Sequence, residues 1–283
     1  MVRSLVSAAV LSLSLTTALS ASAAEWVPKA MGGRVVGEID GWPTDGANVV
    51  GMGVAAQIPI HPVVYLDLDF PWAIFSPDRG DATFAIGNPT VGAHWADAIT
   101  EKLAAHAGGS LTISTMISSR DTIFDLDYDR RYFTRVFAGA ARAYADLHRY
   151  FPDYMFLRGR GGIELQIVPV LYYRVEVAPM IAIPLGERVD DAELLIDIHN
   201  EIEARSRKGV GGGVHLQGVI NTADVRSRAD DDAQLAVEPY FVYDPGRGFY
   251  ARVGTLIALD APLGPGFDDG GMASIRITLG GRW

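Results

Sequence analysis

The stretch ASIRITLGGRW at residues 273–283 decides the fold, because apolar and polar side chains alternate along it. Ala273, Ile275, Ile277 and Leu279 are apolar, and the residues between them are polar. A β-strand sends successive side chains to opposite faces. The stretch therefore predicts a strand with one apolar face and one polar face.

The same alternation recurs through most of the chain. Many of the alternating runs are about 11 to 14 residues long, whereas soluble strands have roughly 5 to 6. A tilted strand needs about 9 to 11 residues to cross a bilayer. The sequence thus predicts an all-β fold, a transmembrane antiparallel up-and-down β-barrel of about twelve strands. We place these strands at 34–42, 47–58, 63–75, 82–95, 110–118, 154–168, 171–184, 191–204, 210–222, 232–243, 247–260 and 271–283.

The connections between these strands are expected to sort by length, with short turns on the periplasmic side and longer loops outside. The short set is 59–62, 169–170, 205–209 and 244–246. The longer set is 76–81, 119–153, 185–190, 223–231 and 261–270. Segment 96–109 does not fit, because it is longer than the other turns on its side. Gly87, Asn88 and Pro89 interrupt a strand and indicate a bulge or a break.

One segment has helical instead of strand periodicity. Apolar residues between Arg131 and Phe151 recur at every third or fourth position, and Pro152 would stop the helix. We therefore predict a helix at 131–151 within the longest extracellular loop. It would fold over the barrel mouth, enter the lumen or lie at the bilayer interface, and covering local apolar surface is the simplest role.

The first 24 residues have the pattern of a secretory signal peptide. Arg3 is followed by an apolar run, and small residues at Ala21 and Ala23 form a cleavage site. Residues 25–283 would then form one exported domain.

The sequence contains no cysteine, so no disulfide framework or lipid-bearing cysteine is available. The net charge of −10 argues against nucleic acid as a partner.

The last residues resemble the C-terminal assembly signal of bacterial outer-membrane β-barrel proteins. That signal is an amphipathic strand with a terminal aromatic residue, and Ile275, Ile277, Leu279 and Trp283 match it. The resemblance implies an outer-membrane location, recognition by the barrel-assembly machinery and contact with outer-membrane lipid. Aromatic residues near strand ends fit the bilayer interface. These are Trp42, Trp72, Phe75, Trp95, Tyr243, Phe249 and Trp283.

The polar faces of the strands would line the lumen. Our candidates are Asp67, Asp69, Glu164, Arg174, Glu176, Glu193, Asp197, His199, Glu201, Glu203, His215, Glu238, Arg252 and Arg276. Acidic residues outnumber basic ones in this set, which predicts a preference for cations if the lumen conducts. About 8 strands hold only packed side chains and about 16 leave a channel, so twelve strands leave both a pore and a sealed barrel open.

We expect no metal site, cofactor or catalytic group. His199 stands among carboxylates, but a single imidazole is a weak zinc signal, and a hydrogen-bonding role is favoured. Gly211, Gly212 and Gly213 are not followed by the Lys-Ser or Lys-Thr of a phosphate loop. The expected function is passive transport of small solutes, as in a porin, or a structural role in the envelope. The alternatives are a soluble periplasmic sandwich or lipocalin-like barrel that binds a ligand, and an outer-membrane lipid-modifying enzyme.

Overall fold

The computed structural model describes residues 28–44, 46–119, 125–143, 146–189, 191–221, 233–259 and 273–283. The described part of the chain contains thirteen strands, helix α1 (Leu126–Ala140) and a short 3-10 helix (Leu147–Arg149). The strands are β1 Arg34–Thr44, β2 Ala47–His61, β3 Val64–Pro77, β4 Thr83–Ile86, β5 Thr90–Thr100, β6 Leu103–Thr112, β7 Tyr154–Val168, β8 Leu171–Pro184, β9 Glu193–Arg205, β10 Val210–Asn221, β11 Ala233–Tyr243, β12 Gly248–Ala258 and β13 Ala273–Arg282. The predicted signal peptide lies outside the described residues.

The strands form one closed antiparallel barrel. Neighbouring strands in the chain pair with each other, and β1 pairs with both β2 and β13, so the sheet closes on itself. β3 pairs with β2 on one side and with β4 and then β5 on the other. β4 and β5 therefore lie end to end in one strand position of the wall, so the thirteen strands occupy twelve positions around the barrel. The predicted barrel of about twelve strands is confirmed.

The shared wall position is broken between β4 and β5, as Gly87, Asn88 and Pro89 predict. The amide of Asn88 donates to the carbonyl oxygen of Arg149 at 2.7 Å. A Cβ atom at Gly87 would lie 2.6 Å from the same carbonyl oxygen. Only glycine allows this close approach. The break between β4 and β5 thus lets the long loop bind to the wall at Arg149.

Apolar side chains face outward and charged side chains face inward. On β8 and β9, Val177 and Ile202 are 42% and 45% exposed, whereas Asp197 and Glu203 are 0% and 2% exposed. A continuous outer belt of aliphatic side chains suits a hydrocarbon environment. A soluble sandwich or lipocalin-like barrel needs the opposite arrangement, with an apolar core, and does not fit this structure.

One part of the predicted strand pattern is wrong. Residues 96–109, expected to be a loop, belong to β5 and β6 and the short turn that joins them. The strand predicted at 110–118 consequently ends at Thr112. Ala107 and Gly109 occupy exposed positions of β6. Such small outward side chains give little contrast with the inward ones, so the alternation is hard to see in the sequence.

The connections sort by length between the two ends of the barrel, except that the two-residue connection between β1 and β2 lies at the end with the longer loops. The end that we call the turn end carries the short connections after β2, β5, β7, β9 and β11. The end that we call the loop end carries the connection of 113–153 between β6 and β7. The start of β1 and the end of β13 lie at the turn end, where the amide of Gly33 donates to the carbonyl oxygen of Trp283 at 2.9 Å.

The helix occupies Leu126–Ala140, whereas the sequence predicts 131–151. It starts earlier because the side chain of Asp125 accepts hydrogen bonds from amides of the first turn and caps it. It ends earlier because the following chain leaves helical geometry, with φ of 51° at Ala143 and 58° at Asp146. No helix in the described ranges is both long and apolar enough to cross a membrane.

Helix α1 lies against the inner face of the wall near the loop end. Ala138 packs in a buried cluster with Val49 and Ala73, and Trp42 and Phe75 pack against the same cluster. Trp42 and Phe75, which we expected at the bilayer interface, therefore contact the loop instead. The expected cover of local apolar surface is confirmed for the helix. The chain that follows the helix enters the lumen, which is one of the three expected locations.

Candidate functional site

The lumen is the candidate site, because nearly all buried charge of the described residues lies there. The structure places all fourteen predicted lumen residues on inward positions, where they contact one another or segments inside the barrel. They are Asp67, Asp69, Glu164, Arg174, Glu176, Glu193, Asp197, His199, Glu201, Glu203, His215, Glu238, Arg252 and Arg276. An inward charge in a narrow barrel needs a partner, since an unpaired buried charge is costly.

Carboxylates shared between arginines tie the strands together across the lumen. Glu238, which is fully buried, lies 2.9 Å from Arg252 and 3.1 Å from Arg276. Arg276 also lies 2.6 Å from the buried carboxylate of Asp40. The inner side of β1, β11, β12 and β13 is thus linked by ion pairs instead of apolar packing.

Residues 28–33, which we call the N-terminal plug, fill the lumen at the turn end. The amides of Lys29 and Ala30 donate to the carboxylate of Glu164 at 2.6 and 2.7 Å. The ammonium group of Lys29 contacts both Glu201 and Glu203. Burial alone would lower the pKa of Lys29, but these two carboxylates raise it above its ordinary value. Lys29 therefore stays charged and holds the plug in place.

Residues 141–143 and 146–151, which we call the loop plug, enter the lumen from the loop end. Arg142 pairs with Asp40. Arg149 lies 2.6 Å from Glu38 and 2.8 Å from Asp69. These ion pairs connect the plug to β1 and β3. The longest loop therefore continues inside the barrel and closes it from the side opposite the N-terminal plug.

Two further residues of the loop plug are held in fixed charge states. Burial lowers the pKa of His148 to about 3, and Arg158 and Arg149 add to the effect, so the imidazole is neutral. Burial opposes ionisation of Asp146, but Arg142 outweighs it and holds the pKa of this carboxyl well below its ordinary value. Asp146 therefore adds a permanent negative charge beside Arg142.

A cavity of about 270 Å³ remains between the two plugs, since residues of both line it. Its lining contains eight lysine or arginine residues and only four carboxylates. The basic residues are Lys29, Arg34, Arg142, Arg158, Arg160, Arg174, Arg252 and Arg276, and the acidic ones are Glu38, Asp146, Glu176 and Glu201. The expected acidic excess is therefore wrong for the open part of the lumen. Most carboxylates of the lumen form ion pairs or lie against the plugs.

A second cavity of about 140 Å³ adjoins the first, because both are lined by Arg34, Arg158 and Arg160. His148 of the loop plug also lines it. Among the described residues, the side chain of Arg34 makes no hydrogen bond or ion pair, although it lies within electrostatic range of Arg160, Arg174 and Asp67. The two cavities thus meet at a group of arginines.

Several lumen residues were not among the sequence candidates. Arg158 and Arg160 share the inward parity of Glu164 on β7, so the strand pattern contained the signal for them. Arg142 and Arg149 lie in a loop, and no local pattern shows that they reach the lumen. Lys29 and Arg142 add two positive charges to a cavity lining whose strand residues already supply six basic and three acidic side chains.

The histidine and glycine motifs have structural roles. Nδ1 of His199 lies 3.2 Å from Nε2 of His215, within hydrogen-bond distance, and the two rings stack with centroids 5.3 Å apart. Within the described ranges, no group of three or more histidine and acidic side chains is arranged to hold a metal ion. A Cβ atom at Gly213 would lie 2.6 Å from the hydroxyl of Tyr240. That hydroxyl donates to Glu201 at 2.8 Å, so glycine here makes room for a lumen contact.

Comparisons with known proteins give structural neighbours but no family. No family model matches the sequence, and no curated protein matches it. The NanC porin is 7% identical and superposes with a TM-score of 0.55 over 89% of this chain and 100% of that chain. The COG4313 outer membrane channel from Pseudomonas putida F1 is 12% identical, with a TM-score of 0.59 over 94% and 100%. The KdgM porin is 7% identical, with a TM-score of 0.50 over 88% and 99%. This chain therefore has the β-barrel fold that these proteins share.

Proposed function

We propose that the protein is an outer-membrane channel for small polar solutes, closed in this conformation by its two plugs. The exposed apolar belt and the polar lumen support a barrel that stands in a bilayer. The barrel fold shared with outer-membrane porins supports the same location. We infer that the chain is exported through residues 1–24 and that its C-terminal strand is read by the assembly machinery.

The observation that carries this proposal is the polar cavity between two segments that are not part of the wall. The wall closes through strand pairing alone, since each of its twelve positions is paired with the next and β1 is paired with β13. The loop plug is held by ion pairs with β1 and β3, by hydrogen bonds such as that from Asn88 to Arg149 and by apolar packing of Tyr150, and not by strand pairing. Displacing it would therefore open the lumen without breaking the barrel.

A sealed barrel with a structural role in the envelope is the second candidate. The dense ion pairing around Asp40 and Glu238 favours it, because charges of both signs fill much of the lumen. The two candidates differ in one measurable property, which is conductance. We assign no catalytic residue, and phospholipid turnover in vesicles is the measurement that would contradict this.

The test is single-channel recording on the purified full-length protein in planar bilayers. Replacing residues 141–151 by glycine and serine removes the loop plug and should give a larger unitary conductance than the wild type. The matched control replaces residues 78–82, which lie at the loop end but outside the lumen. Heat-modifiable gel mobility shows that each barrel has folded. If neither the wild type nor the unplugged variant conducts, the channel proposal fails and the sealed barrel stands.

A further inference from the structure

The larger of the two lumen cavities, where the group of arginines lies, is lined by eight basic residues and only four carboxylates. Arg160 pairs with Asp67. Arg158 and Arg174 share one carboxylate, Glu176, at 3.4 and 2.8 Å. Their other carboxylate contacts are longer, with 3.6 Å from Arg158 to Asp197 and 3.9 Å from Arg174 to Glu164.

Arg34 adds a positive charge to this group, and its side chain makes no hydrogen bond or ion pair in the described structure. It projects from β1 into both cavities. Arg174, Arg282 and Arg160 repel it, whereas Tyr250 and the carboxylate of Asp67, which already pairs with Arg160, attract it. A guanidinium group confined among like charges is stabilised by an anion, and its planar fork of donors matches a carboxylate or a phosphate.

Donors without a partner lie beside this junction. The Nε atoms of Arg158 and Arg174 are buried and make no hydrogen bond to protein, and the same holds for Nη2 of Arg276. Buried donors are normally satisfied, since an unmade hydrogen bond costs free energy. A bound oxyanion that draws these side chains toward it would supply acceptors that the protein does not.

We propose that this junction is a binding site for a small oxyanion, either a carboxylate or a phosphate, centred on Arg34. The cavity of about 270 Å³ has room for roughly nine waters, at about 30 Å³ each. The site therefore fits a short acid with one or two acidic groups. A long chain would not fit between the plugs. This inference deepens the proposed channel function and names the class of solute that the lumen would select.

The test is isothermal titration calorimetry on the detergent-purified full chain. The probes are malonate, inorganic phosphate and the neutral malonamide. We expect malonate or phosphate to bind at millimolar concentrations and malonamide to give no heat of binding. Which of the two anions binds more tightly decides whether the site is built for a carboxylate or for a phosphate.

Arg34→Gln is the decisive variant, because it removes a charge without breaking an ion pair. Affinity for the anion should fall about tenfold or more, since a charge-assisted hydrogen bond is lost. Arg34→Lys should recover part of the affinity, because the charge returns without the fork. The matched control is Arg131→Gln on the exposed face of helix α1, which should bind like the wild type.

Two results would overturn the site. One is the absence of malonate and phosphate binding by the wild type, and the other is equal affinity in Arg34→Gln. Both are independent of the channel proposal, which is judged by conductance. Anion binding without conductance would leave the site standing and remove the channel. Conductance without anion binding would leave the channel standing and remove the site.

Discussion

Arg142 in the loop plug and Asp40 in β1 form a buried ion pair, although 102 positions separate them in the chain. Asp40 is 0% exposed and has a second cationic partner in Arg276. The carboxylate therefore stays compensated when Arg142 leaves, which makes the pair suited to a contact that opens and closes. The stability of the closed state depends on it more than the stability of the barrel does.

Arg142→Ala is therefore expected to open the lumen without unfolding the wall. Removing one partner of a buried ion pair costs about 3 to 5 kcal/mol, and the remaining Arg276 favours the lower value. About 3 kcal/mol corresponds to roughly a hundredfold rise in the ratio of open to closed channels. Open probability in planar bilayers measures this ratio.

The control for this variant is Arg131→Ala on helix α1. Arg131 also pairs with a carboxylate four residues away, Asp127, but both side chains are more than half exposed. An exposed pair contributes little, so open probability should not change. An Arg142→Ala protein that gates like the wild type would show that this ion pair does not hold the plug.

Acidification should also weaken the loop plug, because of His148. Its pKa is lowered to about 3 in the closed state, whereas a solvated imidazole has about 6.5. Between these values the displaced plug binds a proton that the closed one does not. The closed state therefore loses up to about 1.4 kcal/mol per pH unit as pH falls from about 6.5 toward 3. Open probability should rise over this window.

The matched variant is His148→Gln, which keeps a polar side chain but cannot be protonated. Its open probability should vary less with pH than that of the wild type. Asp146 does not counteract the effect between pH 7 and 4, because its depressed pKa keeps it ionised in the closed state. Identical pH profiles for the two proteins would rule out His148 as the sensor.

The sequence predicts the wall well, because each strand repeats one simple physical pattern. Where outward residues are bulky, as at Val177 or Ile202, the strand bounds agree with the structure within a few residues. Where they are small, as at Ala107, the pattern fades and the loop expected at 96–109 is in fact strand. Inward charges follow from the same parity, so Arg158 and Arg160 were accessible to sequence reasoning.

The plugs and the charge of the open cavity were not accessible in this way. Lys29 and Arg142 reach the lumen through segments with no strand periodicity, and their positions depend on carboxylates far away in the chain. Counting the charges on strand faces alone gives an acidic lumen. Around the open cavity the sign is reversed even among strand residues, which supply six basic and three acidic side chains to its lining.

The outward belt predicts a large penalty for charge at Val177, near the middle of β8. Arginine on the lipid face of a barrel costs about 2 to 4 kcal/mol at the bilayer midplane. Val177→Arg should lower the free energy of unfolding from lipid vesicles by this amount, as measured by urea titration. Val177→Ile is the control and should change it by less than about 1 kcal/mol. A tolerated arginine would mean that this face does not contact hydrocarbon.

Variants of Trp283 distinguish a role of this residue in closing the barrel from a role in assembly. Its amide and carbonyl both pair with Gly33 at 2.9 Å, contacts made by the backbone that any residue would keep. The residue is 57% exposed, and its ring lies over Gly33 at the rim instead of among buried side chains. Trp283→Ala should therefore refold in detergent as well as the wild type, judged by heat-modifiable mobility.

In cells, the same variant should reach the outer membrane in smaller amounts if the terminal aromatic residue belongs to the assembly signal. Trp283→Phe keeps the aromatic ring and should restore the level in membrane fractions. Ile275 and Leu279, which are 54% and 44% exposed on the same outer face, should behave in the same way when changed to serine. A loss of refolding in detergent that parallels the loss in cells would instead assign these residues to the stability of the finished barrel.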